Sequence, residues 1–137
     1  MSNQFRGVGN LGQAPALQRV LVDGEQRPVA DLRVYFDRSV PVRDGFKEDG
    51  GFWLNVTLWG PRAETAAKVL AKGARVEVAG QLRQETWEDE EGQARTELRL
   101  TATSIAIDPL CVESVHYRSR RNQAAAADEG EAGEVAD

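Results

Sequence analysis

The stretch Gly51–Gly60, GFWLNVTLWG, constrains the chain most, because its side chains repeat with a period of two. Phe52, Leu54, Val56 and Leu58 fall on one face, and Trp53, Asn55, Thr57 and Trp59 on the other. The first set is the buried face of a strand. The second is polar in its middle yet carries a tryptophan at each end. Leaving a large apolar side chain in water forfeits about 1.5–3 kcal/mol of burial. Another subunit, a loop or a flat ligand is therefore expected to cover the two indoles, and a neighbouring segment packed over both is the bland alternative.

The same period recurs on either side. Residues 3–9 form a short first strand, followed by the turn-rich GNLGQAP of Gly9–Pro15. Leu17–Val22 is strand-like and stops at the Asp23-Gly24 turn. Val29–Arg38 alternates, with Ala30, Leu32, Val34 and Phe36 on one side and Asp31, Arg33, Tyr35 and Asp37 on the other. Pro41–Gly50 reads as a polar loop. Pro61 suits a first helical turn, Ala63, Ala66, Ala67 and Leu70 recur at helical spacing, and Gly73 is a stop, which predicts one helix over Pro61–Lys72. In Arg75–Trp87, Val76, Val78, Gly80 and Leu82 point inward, and Arg75, Glu77, Gln81, Arg83, Glu85 and Trp87 outward. Glu88–Gly92 is a charged hairpin tip and Ala94–Ile107 the last strand. Leu98 and Leu100 share one phase while Ile105 and Ile107 share the other, so a bulge or bend is expected between them. This order predicts an all-β fold, a five-stranded Greek-key barrel of the OB type with one short helix between the third and fourth strands. A parallel α/β sheet is disfavoured, because one helix is too few to cross over several strands.

A chain of 137 residues can build one core without disulfides. No stretch approaches the ~18–20 apolar residues of a membrane span, and MSNQFRG has no basic segment leading into an apolar run. With a single cysteine, Cys111, a cytoplasmic protein without membrane association is the expectation. One cysteine and one histidine, His116, leave too few residues for a Cys/His zinc site, a Ser-His-Asp triad or a Cys-His dyad. The one dense acidic run, Glu88–Glu91, sits on the predicted hairpin tip, where a solvated charge run accounts for it better than the metal site of a nuclease. Neither an enzyme nor a cofactor is expected. The net charge of −5 is uneven: of 22 acids, five lie in residues 123–137 without any Lys or Arg, leaving 17 against 17 basic residues in the remainder. The acidic balance is thus no argument for or against a polyanionic partner.

All three tryptophans, Trp53, Trp59 and Trp87, occupy the polar face of their strands, as does Tyr35, and Arg33, Arg75 and Arg83 share that outward phase. Aromatic platforms interleaved with cations suit single-stranded nucleic acid, since each base offers a face worth ~1–3 kcal/mol on stacking and arginines neutralise phosphates. A duplex hides those faces. Closure of a subunit interface is the competing explanation for the aromatics, and a plain solvated face is the one for the arginines. Over roughly residues 3–107 the sequence resembles the bacterial single-stranded DNA-binding protein family, through GNLGQAP, VADLRV of Val29–Val34, the Trp53-to-Trp59 strand ending in Gly60, KGARVEVAGQLRQETW of Lys72–Trp87 and EGQARTELRL of Glu91–Leu100. The resemblance implies an OB-fold domain over residues 1–108, a homotetramer with DNA wrapped over the barrels, and base stacking on Trp53, Trp59 and Trp87. Trp59 stands where the family more often has phenylalanine, and a further stacking tryptophan of the family falls near Val40 here.

Residues 109–137 then form a linker and an acidic tail. Residues 122–137 are too poor in large apolar side chains to fold, so disorder is expected. In the family such a tail ends in an apolar tip that docks replication or recombination proteins; here the end reads Glu134-Val135-Ala136-Asp137 and lacks the aromatic anchor. Arg118, Arg120 and Arg121 either extend a DNA track or pair with the tail. The function implied is sequence-tolerant binding and protection of single-stranded DNA in replication, recombination or repair, with a mobile element as one setting. The alternative is an OB-fold protein-interaction module of a replication-restart or conjugation complex.

Overall fold

The computed structural model describes residues 3–119, so the expectations for the acidic tail and for Arg120 and Arg121 lie outside the described residues. The chain runs β1 (Asn3–Leu11), β2 (Ala16–Val22), β3 (Glu25–Phe36), β4 (Ser39–Val42), β5 (Gly45–Glu48), β6 (Phe52–Trp59), α1 (Pro61–Val69), β7 (Arg75–Glu88) and β8 (Ala94–Ile107), with a 3-10 turn at Pro109–Cys111. The main sheet has the order β1-β7-β8-β6-β3-β2, and a further β1–β3 pairing closes β1, β7, β8, β6 and β3 into a barrel. All its ladders are antiparallel except β6–β8. That one parallel pair requires a crossover, and α1 with β7 supplies it. The result is the five-stranded OB barrel with its helix between the third and fourth barrel strands, and β2 adds a sixth strand outside the ring.

Alternation carries the packing. Leu32, Val34, Leu54, Val56, Leu58, Val76, Val78 and Leu100 are buried, joined by Ala63 and Ala66 of α1 and by Leu70 just after it. The β2–β3 turn places Asp23 at φ 51° and Gly24 at φ 81°, the left-handed pair of a tight two-residue hairpin. Along β7–β8 the register shifts after Ala79: Ala79 faces Ser104 whereas Gly80 faces Ala102. Thr103 is the extra residue, and its hydroxyl donates to the Ala79 carbonyl at 3.3 Å. Of the bulge or bend expected from the change of parity between Leu100 and Ile105, the register shift is the bulge.

Four expectations are corrected. Residues 41–50 are not a loop throughout, because β4 and β5 pair with Val40 opposite Lys47 and Pro41 opposite Phe46. The helix stops at Val69, since Leu70 turns to extended geometry (φ −93°, ψ 144°) and is buried against the core. The first strand continues to Leu11, where Gly9–Leu11 pair with Val34–Phe36. Phe52, on the inward phase, remains half-exposed at the end of its strand, in contact with Phe5 and Phe36 at 6.1 and 5.7 Å between ring centroids.

Candidate nucleic-acid interface

The outward phases of four adjacent strands meet in one surface. Arg33 of β3 pairs with Asn55 of β6, Asn55 with Arg99 of β8, and Arg99 with Arg83 of β7, giving one row of three arginines and an asparagine across the sheet. On one side lies the row Asp31, Thr57, Thr101 and Gln81. On the other, Tyr35 pairs with Trp53, and Glu97 with Glu85. Trp59 sits six residues from Trp53 on β6, about 20 Å at strand rise. Trp87 stands near the tip of the β7–β8 hairpin opposite Arg95.

The three indoles are 47%, 43% and 45% exposed for Trp53, Trp59 and Trp87, so no neighbouring segment of the described chain covers them. Trp53 is the best supported. Its ring lies 5.2 Å from that of Tyr35 and 5.4 Å from the Arg33 guanidinium carbon. A Cβ placed on Gly12 would come within 2.7 Å of Trp53 Cζ3, so the end of the indole rests close against the Gly12 backbone. Trp87 borders a shallow concavity of about 460 Å³ lined with Arg83, Gln84, Glu85 and Thr86. The tip beyond it is ordered by Asp89, which accepts from the Gln93 and Glu91 amides at 2.9 Å and from Arg95 Nε at 2.8 Å. These bonds, the Gln93 amide first, hold the Asp89 carboxyl below the usual aspartate range.

The arginines divide. Arg33 Nη1 donates to Asn55 Oδ1 at 2.9 Å while its guanidinium carbon stands 5.4 Å from the centre of the Trp53 ring. Arg83 is exposed and reaches Glu85 at 3.1 Å. Arg75 is held elsewhere: it forks onto Asp37 at 2.9 and 3.2 Å, reaches Asn10 at 2.6 Å and lies 3.8 Å from Asp108. The Arg75 hydrogen bond lowers the Asp37 carboxyl, and Asp37 in turn raises the guanidinium. Arg75 therefore ties β1, β3 and β7 together at one end of the barrel and is not gathered with the row of three. Arg99 is gathered there and was not singled out from the sequence. Its alternation with Leu98 and Leu100 marks it as outward, but its place beside Asn55 depends on the parallel β6–β8 pairing.

Beside Trp53, the β4–β5 hairpin is latched to the sheet. Tyr35 donates its hydroxyl to Glu48 at 2.7 Å, which raises the phenol above its ordinary pKa. Arg38 closes the base of the hairpin with a bond to the Asp49 carbonyl at 3.0 Å. Val40 carries no ring, whereas Phe46 projects from the hairpin at 77% exposure. Among the described residues, no three His, Cys, Asp or Glu side chains cluster to hold a metal ion, and no helix is long and apolar enough to cross a membrane.

Residues 2–108 match the single-strand binding protein family. Curated relatives called single-stranded DNA-binding protein include one from Wolinella succinogenes, 33% identical over 77% of this chain and 63% of its own, and one from Treponema pallidum, 38% identical over 73% and 54%. Single-stranded DNA-binding protein 1 of Xylella fastidiosa is 33% identical over 75% of this chain and 74% of its own. The chain thus spans less than two thirds of the first two relatives. Among solved structures, a small single-stranded DNA-binding protein from Streptomyces coelicolor superposes with a TM-score of 0.70 at 22% identity, covering 82% of this chain and 99% of that one. A Plasmodium falciparum SSB in complex with ssDNA superposes with a TM-score of 0.64 at 18% identity, over 79% and 96%. Both have the same fold.

Proposed function

Because this chain belongs to the single-strand binding protein family, we propose that it binds single-stranded DNA with little sequence preference and keeps it unpaired during replication, recombination or repair. The observation that carries this reading is the three half-exposed indoles on the outward phase of the sheet that bears the row Arg33, Arg99 and Arg83. Bases stack on Trp53, Trp59 and Trp87, with Tyr35 and Arg33 bracing Trp53, and Arg83 meets phosphate. Arg75, committed to Asp37, acts on the barrel rather than on DNA. Residues 1–108 are the binding domain in this reading. The activity is that of a binder in the cytoplasm rather than of an enzyme, since stacking and counterion release need no bond-making group. A homotetramer belongs to the reading and is supported by β1, which pairs with β3 only over Gly9–Leu11 and leaves the Phe5–Val8 edge for a second copy. Recruitment of replication or recombination proteins through the acidic tail also belongs to it.

Titration with oligo-dT at low and high salt, following tryptophan fluorescence and with duplex DNA as control, tests the proposal. Quenching by oligo-dT alone is the expected result, with a residual quench at high salt from stacking. Absence of both binding and quenching removes DNA coating and leaves the protein-interaction module. Binding without quenching assigns the work to the arginines and the indoles to subunit contacts.

A further inference from the structure

In the β7–β8 ladder two like-charged pairs stand in adjacent outward positions, Arg83 opposite Arg99 and Glu85 opposite Glu97. Like charges directly across a sheet are destabilising, so the arrangement needs a diagonal partner. Glu85, diagonal to Arg99 and two residues along β7 from Arg83, serves both arginines, one carboxylate oxygen to each. Its Oε1 accepts from Arg99 Nε at 2.9 Å, and its Oε2 lies 3.1 Å from Arg83 Nη2. Arg99 is fixed further by Thr57 Oγ1 at 2.9 Å and Asp31 at 3.4 Å, and Glu97 accepts from Asn55. The row's arginines are thus aimed and paired before any ligand arrives.

We propose that Glu85 is a built-in stand-in for a DNA phosphate, bridging Arg83 and Arg99 with two oxygens as a backbone phosphate would, and that it must be displaced when single-stranded DNA crosses the sheet between Trp53 and Trp87. The inference rests on the DNA-binding reading and adds to it an internal competitor. Each guanidinium holds one carboxylate oxygen through a charge-assisted contact, the kind that arginine also makes to a phosphate oxygen. The Arg83 side of the bridge is open, with Arg83 59% and Glu85 35% exposed, whereas Arg99 is 24% exposed, so exchange starts at Arg83 and requires no opening of the barrel. Displacement has a thermodynamic signature. A carboxylate released from its arginines regains a counterion and cancels part of the cation release that accompanies phosphate binding.

The test compares wild type with Glu85→Gln, using the full chain and the anisotropy of dye-labelled oligo-dT over a salt series. Glu90→Gln, which removes the same charge at the hairpin tip, is the control. The expected result is binding about two- to fivefold tighter for Glu85→Gln at low salt, the range of an exposed ion pair. The slope of log K against log salt should steepen by about 0.7, the single-strand value per phosphate. Unchanged or weaker binding by a Glu85→Gln protein of native Tm overturns the proposal, as does equal tightening by Glu90→Gln. Should Glu85→Gln lower Tm, Glu85→Thr, uncharged and suited to a strand, carries the same expectation and the same refutation. Failure of wild type to bind oligo-dT is seen first and overturns the functional reading together with the inference, whereas binding by wild type without gain in the variants overturns the inference alone.

Discussion

Gly12 lies close against the indole of Trp53: a Cβ there would stand 2.7 and 2.8 Å from Cζ3 and Cη2, closer than van der Waals contact allows. The Gly12 amide is itself held by the Arg33 carbonyl at 2.8 Å, and the neighbouring Leu11 exchanges bonds with Ala74 and Gly73 at 2.9 and 2.8 Å. Backbone from three parts of the chain therefore fixes the segment against which one exposed ring rests. Tyr35 and Arg33 flank the ring, and part of it stays open to a base. A platform whose rotamer is fixed in advance loses little entropy when a base stacks on it.

Gly12→Ala should leave the fold intact and weaken DNA binding. The atoms met by the new methyl are the far end of a side chain, so Trp53 moves and the barrel does not. Losing one stacking platform, worth ~1–3 kcal/mol, predicts oligo-dT binding at least about fivefold weaker at unchanged Tm. In a double-mutant cycle, Gly12→Ala should add nothing to Trp53→Ala. Additive losses would show that Gly12 acts elsewhere.

Gly80→Ala should have the opposite profile, damaging stability first. A Cβ at Gly80 would stand 2.1 Å from the Thr101 carbonyl oxygen and 2.7 Å from Ala102 Cα, both backbone atoms of the paired strand at the bulge. Neither can give way without parting β7 from β8. Overpacking of this kind costs about 1–3 kcal/mol or more, so thermal denaturation should show a clear fall in Tm. A native Tm would mean that the bulge relaxes to accept the methyl.

The strands, the barrel and the bulge were readable from the chain because burial alternates along each strand, and the parity change between Leu100 and Ile105 leaves a trace in the residues themselves. The β4–β5 hairpin was not readable for the converse reason. SVPV and GFKE bury almost nothing, so no apolar period marks them, and Pro41 argues against a strand. The outward tryptophans could be named from their phase alone. Their grouping with Arg99 and Glu85, and the removal of Arg75 to Asp37, could not, because both depend on which strands become neighbours. The β6–β8 pairing joins residues 44 positions apart, Asn55 with Arg99, through a register that no local pattern encodes.

Tyr35→Phe should release the β4–β5 hairpin while sparing the Tyr35–Trp53 ring contact. The change deletes the 2.7 Å bond to Glu48, the latch between sheet and hairpin. A net hydrogen bond is worth about 0.5–1.5 kcal/mol, so amide exchange over Gly45–Glu48 should quicken by roughly three- to tenfold, with the barrel's protection unchanged. Exchange rates equal to wild type would assign the hairpin's order to Arg38 and Asp49 instead.

Asp37→Asn should flatten the acid limb of the stability curve. The hydrogen bond from Arg75 is the largest cause of the lowered Asp37 carboxyl. A group whose folded pKa is depressed contributes stability above its unfolded value, about 3.9 for aspartate, and loses it as pH falls through the folded value. Arg75 stays charged throughout this window, so the loss follows the carboxyl alone. Wild type should therefore lose Tm progressively below about pH 4, and the part owed to Asp37 should vanish in Asp37→Asn, whose Tm near neutrality is lower from the outset. Urea denaturation at pH 7 and at about pH 3.5 measures both effects, and parallel curves for the two proteins would show that Asp37 and Arg75 do not couple in the folded barrel.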